Sequence, residues 1–181
     1  MNTKKIKWIL VIAGILSIAV GTFFHFAYEW AGNNKIIAAF APVNESVWEH
    51  LKLAFFPMLL FNGIGLILVG KKAHNRIEAW MIGIFVSLAT ILVGFYTYSG
   101  MIGESVLAID ISLFIFAILL GEYVTYRILS TEEQSSIASK SISLLILLFL
   151  GFCFIAFTYF PPKVNLFRDP VTRGFGIEAH P

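Results

Sequence analysis

The sequence predicts an all-α integral membrane protein, a bundle of about five transmembrane helices. Of its 181 residues, 58% are hydrophobic and only 13% are charged, whereas about 25% of a soluble domain is charged. Mean hydropathy is +0.82, and the apolar residues fall into long runs separated by short polar joints. These observations exclude a water-soluble fold, and we expect a single transmembrane domain over residues 1–181.

Five segments are long and apolar enough to cross the hydrocarbon core of a bilayer as helices. We place them near residues 8–28, 48–69, 79–98, 105–129 and 141–160. The first follows three lysines and is read as a retained helix rather than a signal peptide, because its apolar run is too long and lacks a small-residue cleavage pattern. The stretch Ile36–Ala41 is too short to span, and we expect it to be interfacial or re-entrant.

The distribution of Lys and Arg predicts that the N-terminus lies inside and the C-terminus outside. Eight of the thirteen basic residues are then cytoplasmic, as the positive-inside rule requires: Lys4, Lys5, Lys7, Lys71, Lys72, Arg76, Arg127 and Lys140. Most of the acidic residues and three of the four histidines fall on the outer side. This asymmetry predicts an outward-facing site, although the positive-inside rule alone accounts for part of it. We expect a multi-pass protein of the cell (plasma) membrane.

The run Pro42–Lys52, Pro-Val-Asn-Glu-Ser-Val-Trp-Glu-His-Leu-Lys, predicts the start of the second span. The proline ends any preceding helix, and a Ser-x-x-Glu capping box finishes at Glu49. Helix capping does not account for His50. Nor does it account for Glu45 and Glu49, two carboxylates four residues apart that repel each other unless a cation or a shared proton lies between them.

Four residues near the outer surface are candidate ligands of a divalent metal ion: His25, Glu29, Glu49 and His50. Histidine and carboxylate side chains of this kind either bind a metal together or orient each other for proton transfer. The sequence contains no His-Glu-x-x-His motif. The alternative is that these side chains are interfacial groups hydrogen-bonded to loop backbone. No other cofactor is indicated, and no catalytic residue can be named.

Asp110 lies about one turn inside the fourth span, where an ionisable group costs a few kcal/mol unless it is paired or faces a cavity. Its expected partners are Lys52, His50, or the tyrosines that end the third span. We therefore expect an outward-facing pocket for a small ligand or ion. Its predicted lining residues are Glu45, Glu49, His50, Tyr96, Tyr98 and Asp110.

Glu122 lies further along the same helix, toward the cytoplasm. We favour a structural role for Glu122, in which Arg127 draws its carboxylate to the interface. In the second span, Pro57 and Asn62 either line a cavity or belong to a stretch whose small residues allow close helix packing, which is the commoner case.

The C-terminal outer segment, residues 161–181, is rich in turn formers but also carries apolar side chains. Those side chains disfavour a free disordered tail. We expect the segment to fold back over the outer mouth of the bundle, where Asp169 or His180 would join the polar cluster.

Three stretches are distinctive when taken together. They are Pro42–Lys52, then Phe95–Gly103 leading to Asp110-Ile111, and finally Asp169–Ile177. With these stretches the chain resembles, over nearly its whole length, a family of small bacterial multi-spanning membrane proteins known only as a domain of unknown function. It departs from the family pattern locally at Thr172-Arg173-Gly174, where a Thr-Gly pair is expected. The resemblance implies a multi-spanning membrane protein and no particular reaction.

Several functions remain open at this point. The first is binding of a small ligand or ion, or an accessory role in which the polar motif holds a loop to a helix. The alternative is an intramembrane hydrolase, metal-dependent or using a His–carboxylate pair, that acts on a lipid-like substrate. Transport is favoured least, because no inverted repeat is evident.

The partners expected from the sequence are the lipid bilayer and either a second copy, in a homo-oligomer, or another membrane protein. Nucleic acid is excluded, because the net charge is only +2 and the basic residues lie at helix ends.

Overall fold

The computed structural model describes residues 3–70, 73–131 and 133–179, with only the backbone of Ala179. The predicted all-α class is confirmed. The described chain forms six α-helices: α1 (Thr3–Trp30), α2 (Lys35–Ala38), α3 (Val47–Val69), α4 (Arg76–Ile102), α5 (Leu107–Leu129) and α6 (Ile137–Tyr159). Two 3-10 turns follow, at Asn165–Phe167 and Gly176–Ala179.

Among the described residues, five helices are long and apolar enough to cross a membrane, all of them except α2. This confirms the predicted number of spans. Several helices extend beyond the predicted apolar runs: α1 begins at Thr3 instead of residue 8, and α4 runs from Arg76 to Ile102 instead of from 79 to 98. Hydropathy marks only the part of a helix that suits hydrocarbon, whereas backbone hydrogen bonding continues the helix into its polar flanks.

Helix α2 occupies part of the stretch that the sequence predicts to be interfacial or re-entrant. It has only four residues and is far too short to span. Asn34 caps it, because its side-chain oxygen accepts a hydrogen bond from the backbone N–H of Ile36 at 2.8 Å. The helix thus turns the chain between α1 and α3.

Helix α1 packs antiparallel to both α3 and α5. Gly21 of α1 lies against the backbone of Leu53 in α3 and the ring of Phe114 in α5, and towards the other end Gly65 of α3 faces Ile9 of α1. The end of the bundle at which α1 finishes and α3 and α5 begin is called here the α2 end. The helix ends that carry the candidate residues meet there.

Helices α4 and α5 approach each other closely at small residues. A Cβ added to Gly83 would lie 2.9 Å from the carbonyl oxygen of Gly121, and one added to Gly121 would lie 2.6 Å from that of Gly83. Ser87 donates a hydrogen bond to the carbonyl of Ala117 at 2.6 Å, and the buried Thr125 hydroxyl lies 3.2 Å from the carbonyl of Ala79. Hydrogen bonds of this kind, between small polar side chains and backbone, stabilise helix pairs inside a membrane, where the hydrophobic effect does not drive helix association.

The central core joins α3 to α4, α5 and α6. Its buried members are Leu51, Ala54, Phe55, Met58, Ile84, Leu88, Ile118, Leu147 and Phe154. Pro57 lies inside α3 and does not end it. Trp48, at the start of α3, packs on the rings of Phe154 in α6 and Phe167 in the C-terminal segment, with centroids 4.7 and 4.8 Å apart. The start of α3 is therefore fixed on several sides.

Candidate functional site

The start of α3 carries a fully buried ion pair between Glu49 and Lys52. The Lys52 ammonium lies 2.7 Å from Glu49 Oε2, and the two side chains are 0% and 2% exposed. They are three residues apart on the helix and so share one face. A pair this deeply buried is tolerated only when its remaining hydrogen-bonding capacity is satisfied.

The surrounding groups supply that capacity. Lys52 donates to the backbone carbonyl of Ala38 at 2.9 Å and to the hydroxyl of Thr158 in α6, and the carbonyl of Ala41 lies at 3.3 Å. The Thr158 hydroxyl in turn lies 3.0 Å from Glu49 Oε1. We call Glu49, Lys52 and Thr158 the clasp. It ties α3 to α6, to the end of α2 and to the loop that follows α2.

The turn before α3 is capped in a way that involves the clasp. Ser46 is the N-cap, and its hydroxyl accepts from the backbone N–H of Glu49 at 3.4 Å. The Glu49 carboxylate accepts from the backbone N–H of Val43 at 3.1 Å, while the N–H of Ser46 donates to the Asn44 side chain at 2.8 Å. The predicted capping box is thus half formed, because Asn44 takes the donor that Glu49 would serve in the reciprocal half.

A second cluster lies beside the clasp and contains His25, Glu45 and His50. Each offers a ligand atom, and these atoms all lie within 4.8 Å of one another. The His25 and His50 ring centroids are 5.2 Å apart, and His50 Nε2 lies 3.4 Å from Glu45 Oε2. The side chains of His50 and Glu45 are 30% and 52% exposed. We call these three residues the His–Glu cluster.

The hydrogen bonding of His50 determines which of its nitrogens can bind an ion. Its Nδ1 lies 3.0 Å from the carbonyl of Ser46, and a carbonyl can only accept, so Nδ1 carries the hydrogen. In the neutral ring Nε2 is then an acceptor that faces the Glu45 carboxylate, another acceptor. A proton or a metal ion between them removes this conflict, and a backbone carbonyl on Nδ1 is the usual support of a metal-binding histidine.

Two residues of the predicted metal set take other positions. Glu29 is exposed and is not a member of the His–Glu cluster. Glu49 points inward to Lys52 and Thr158. Glu45, and not Glu49, is the carboxylate next to the histidines, because Glu45 precedes α3, in the loop before Val47. The predicted i,i+4 repulsion between Glu45 and Glu49 therefore does not arise.

The other predicted pocket residues do not converge on these clusters. Asp110 accepts a hydrogen bond from the hydroxyl of Tyr98, which also accepts from the backbone N–H of Val106 at 3.3 Å. Of the partners predicted for Asp110, the structure selects Tyr98; Lys52 and His50 are engaged elsewhere. Tyr96 is 47% exposed. The Tyr98–Asp110 bond joins the last turn of α4 to the first turn of α5.

The hollows on the helix surface are apolar rather than polar. One, of about 390 Å³, lies between α1 and α3 and is lined by Val20, Phe24, Phe40, Phe56, Pro57, Leu59 and Leu60. Another, of about 510 Å³, is lined by Leu92, Val93, Tyr96, Thr97 and Leu166. Tyr96 is the one predicted pocket residue in either. The polar groups at the α2 end therefore form two compact clusters, not the lining of these hollows.

The C-terminal segment folds back onto the start of α3. The Asn44 side chain donates to the backbone carbonyl of Gly176 at 2.9 Å, and Phe167 packs on Trp48. Asp169 is buried and binds within its own loop, where it accepts from the backbone N–H of Val171 at 2.8 Å and from the Thr172 hydroxyl at 2.7 Å. It does not join the polar clusters. His180, the other residue predicted to do so, lies outside the described residues.

The structural role predicted for Glu122 is wrong. Its carboxyl is buried between helices, whereas Arg127 donates to the hydroxyl of Tyr123 at 2.7 Å. Arg127 points along the exposed side of α5, so it does not draw Glu122 to the interface.

Comparison with known protein families gives a match over most of the chain. A family model described as a family of unknown function, DUF6512, matches residues 1–177. The chain belongs to the DUF6512 family. This confirms the expected resemblance to an uncharacterised family. No curated protein and no solved structure matches this DUF6512 protein.

Sequence reasoning did not assign Lys52 to Glu49 or identify Thr158 at all. The i,i+3 spacing of Glu49 and Lys52 at the start of a span indicates that the two side chains can pair. Thr158 lies 106 residues beyond Lys52, and nothing in a single sequence marks such a distant contact.

Proposed function

We propose that this protein binds a divalent transition-metal ion at the α2 end of the bundle through His25, Glu45 and His50. Two imidazoles and one carboxylate form a donor set that suits Zn²⁺ and other first-row ions. With the predicted orientation this end faces outward, so the site would take its ion from the outer medium.

The relation between His50 and Glu45 carries the proposal. Two acceptors, Nε2 and Oε2, face each other at 3.4 Å, with the His25 ring beside them. A cation among the three side chains would be attracted by all of them. The clasp supports the site, because it fixes the first turn of α3 from which His50 projects.

A metal-dependent hydrolase is the alternative that uses the same ligands, since three protein ligands leave a coordination position for water. It has less support. Glu49, the neighbouring carboxylate that would serve as general base, is already bound by Lys52 and Thr158. Binding of the ion itself is therefore the function that these contacts favour.

The test is Zn²⁺ binding by detergent-purified protein without a His-tag, measured by calorimetry and elemental analysis. We expect about one ion per chain and at least about a tenfold loss of affinity in His25→Ala, His50→Ala and Glu45→Gln. His74→Ala and Glu133→Gln are matched controls, because both side chains are exposed and outside the cluster. Absence of binding by the wild type, or binding that survives His50→Ala, would overturn the proposal.

The pH dependence of binding gives a second readout. Protons compete with a metal for histidine nitrogens, so affinity should fall as the solution becomes acidic. Controls that bind Zn²⁺ with the wild-type affinity should show the same pH profile. Binding that is independent of pH would indicate ligands other than histidine.

A further inference from the structure

The interior of the bundle contains an isolated carboxyl group, Glu122 of α5. Its side chain is buried, with 5% exposure. The spans around it contribute few charges: the sequence has no Asp, Glu, Lys, Arg or His between residues 7 and 25, 52 and 71, 78 and 104, or 140 and 163. On α5 itself, Asp110 binds Tyr98 and Arg127 binds Tyr123. Glu122 therefore has no opposite charge on these stretches of the helices that surround it.

Polar groups on the neighbouring helices lack partners as well. Among the described residues, both Glu122 oxygens, both polar atoms of Asn62 and the Ser17 hydroxyl are buried without a hydrogen bond. The Asn62 side chain of α3 lies beside the Glu122 carboxyl, yet the pair does not reach hydrogen-bond geometry. Asn62 and Ser17 are each 0% exposed.

Helix α1 packs against Glu122 at Gly14, one turn before Ser17. A Cβ at Gly14 would lie 3.2 Å from Glu122 Cγ, so α1 approaches Glu122 closely at that turn. Ser17 follows one turn later, and Gly14, Ser17 and Gly21 are all buried. Asn62 of α3 thus lies beside Glu122 of α5, and α1 carries an unpartnered hydroxyl, Ser17, one turn away from its contact with Glu122.

A charged carboxylate cannot remain alone in such surroundings, because burial without compensation costs several kcal/mol or more. Neutral oxygen ligands and a carboxylate are the donors that hard cations prefer. One carboxylate balances one positive charge, and a divalent ion would leave an excess charge in the interior. The fourth neighbour, α4, carries one buried carboxylate, Glu78, in its first turn and no charged residue between there and Glu104.

We propose that Glu122, Asn62 and Ser17 bind one monovalent cation, H⁺ or Na⁺, in the interior of the bundle. The cation neutralises the carboxylate and gives the unpartnered oxygens a ligand. This site is independent of the His–Glu cluster, which lies at the α2 end and uses imidazole nitrogens.

The two cations are distinguished by measurements on the full-length protein in detergent. For Na⁺, the unfolding temperature at alkaline pH should rise when Na⁺ replaces choline at constant ionic strength, because a ligand that binds only the folded state stabilises it. For H⁺, the unfolding temperature should not respond to Na⁺. The infrared spectrum should instead contain the carbonyl band of a protonated, buried carboxyl group.

The variant Glu122→Gln should abolish whichever signal the wild type gives, and Glu104→Gln should leave it unchanged, because Glu104 is an exposed carboxylate. Ser17→Ala and Asn62→Ala retain the carboxylate and guard against a variant that fails to fold. If the cation is Na⁺, either variant should weaken its binding by about tenfold. If it is H⁺, either variant should shift the carboxyl band. Absence of both signals in the wild type, or a signal that persists in Glu122→Gln, would overturn the proposal.

Discussion

The ammonium group of Lys52 lies 2.7 Å from Glu49 Oε2, and neither side chain reaches the surface of the bundle. The pair is neutral as a unit, and the hydroxyl of Thr158 bridges it to α6. Its charges are therefore already satisfied by the protein. The clasp is best understood as a structural element that holds the His–Glu cluster, and not as a binding site.

Lys52→Met should lower the free energy of unfolding by about 3–5 kcal/mol, because it leaves a buried carboxylate without its counter-charge. The double variant Lys52→Met/Glu49→Gln should recover much of this loss, since the remaining groups are neutral. Unfolding in SDS titrations measures both. Lys35→Met is the control, because Lys35 is exposed. Equal losses in the Lys52 and Lys35 variants would contradict the assignment of Lys52 to a buried pair.

Thr158→Val should cost about 1–3 kcal/mol, because it removes the hydroxyl and leaves buried polar groups unsatisfied. Thr22→Val is the matched control, because its exposed hydroxyl donates to the carbonyl of Ile18 in its own helix. The same titration compares the two. A Thr22 variant as unstable as the Thr158 variant would show that the cost reflects the exchange of threonine for valine and not the bridge.

Gly83→Ala should destabilise the bundle by about 1–3 kcal/mol, because a Cβ there would collide with the Thr125 hydroxyl and lie 2.9 Å from the carbonyl of Gly121. Gly100→Ala lies on the same helix with nothing within 4 Å, so it should be neutral or slightly stabilising. Thermal unfolding in detergent measures the difference. Similar unfolding temperatures for the two variants would be inconsistent with the close α4–α5 contact.

Asp110→Asn and Tyr98→Phe should each lower stability by about 1 kcal/mol, and the double variant should cost little more than one single variant, because the two residues share one bond. The Zn²⁺ affinity should not change, since neither residue belongs to the His–Glu cluster. Calorimetry and thermal unfolding on the same samples provide both values. A tenfold loss of Zn²⁺ affinity in the Asp110 variant would instead show that Asp110 takes part in binding the ion.

Asn44→Ala should loosen the C-terminal segment, because Asn44 both caps the turn before α3 and holds the carbonyl of Gly176. We expect faster hydrogen exchange over residues 165–179 and a loss of about 1–2 kcal/mol. Asn34→Ala removes the cap of α2 only and should leave exchange in the C-terminal segment unchanged. If both variants leave that exchange at the wild-type rate, the Asn44 contact does not hold the segment.

The spans were predictable from sequence because hydropathy and length are local properties. The candidate site was predictable only in part. Its residue types and the importance of the Pro42–Lys52 run were evident, but the side on which each residue points was not. Whether Glu45 or Glu49 faces His50 depends on where α3 begins, and a shift of a single residue rotates a side chain by about 100° around a helix.

The remaining differences arise from long-range packing. Tyr98 and Asp110 are only twelve residues apart, and proximity in sequence was enough to suggest their pairing. The isolation of Glu122 follows from how α1, α3 and α5 surround it, which no local pattern reveals. Arg127, five residues along the same helix, was the nearest charge in sequence and gave the wrong expectation.

The distance in sequence between Glu49 and Thr158 also has a consequence for how the protein is made. Synthesis proceeds from the N-terminus, so α3, with Glu49 and Lys52, is made long before α6. Until then, Glu49 and Lys52 have each other and the carbonyls of Ala38 and Ala41, but not the hydroxyl of Thr158. The contact of Asn44 with Gly176 forms last, because Gly176 is made after Thr158. The last quarter of the chain, α6 and the C-terminal segment, therefore completes contacts that the start of α3 has lacked until then.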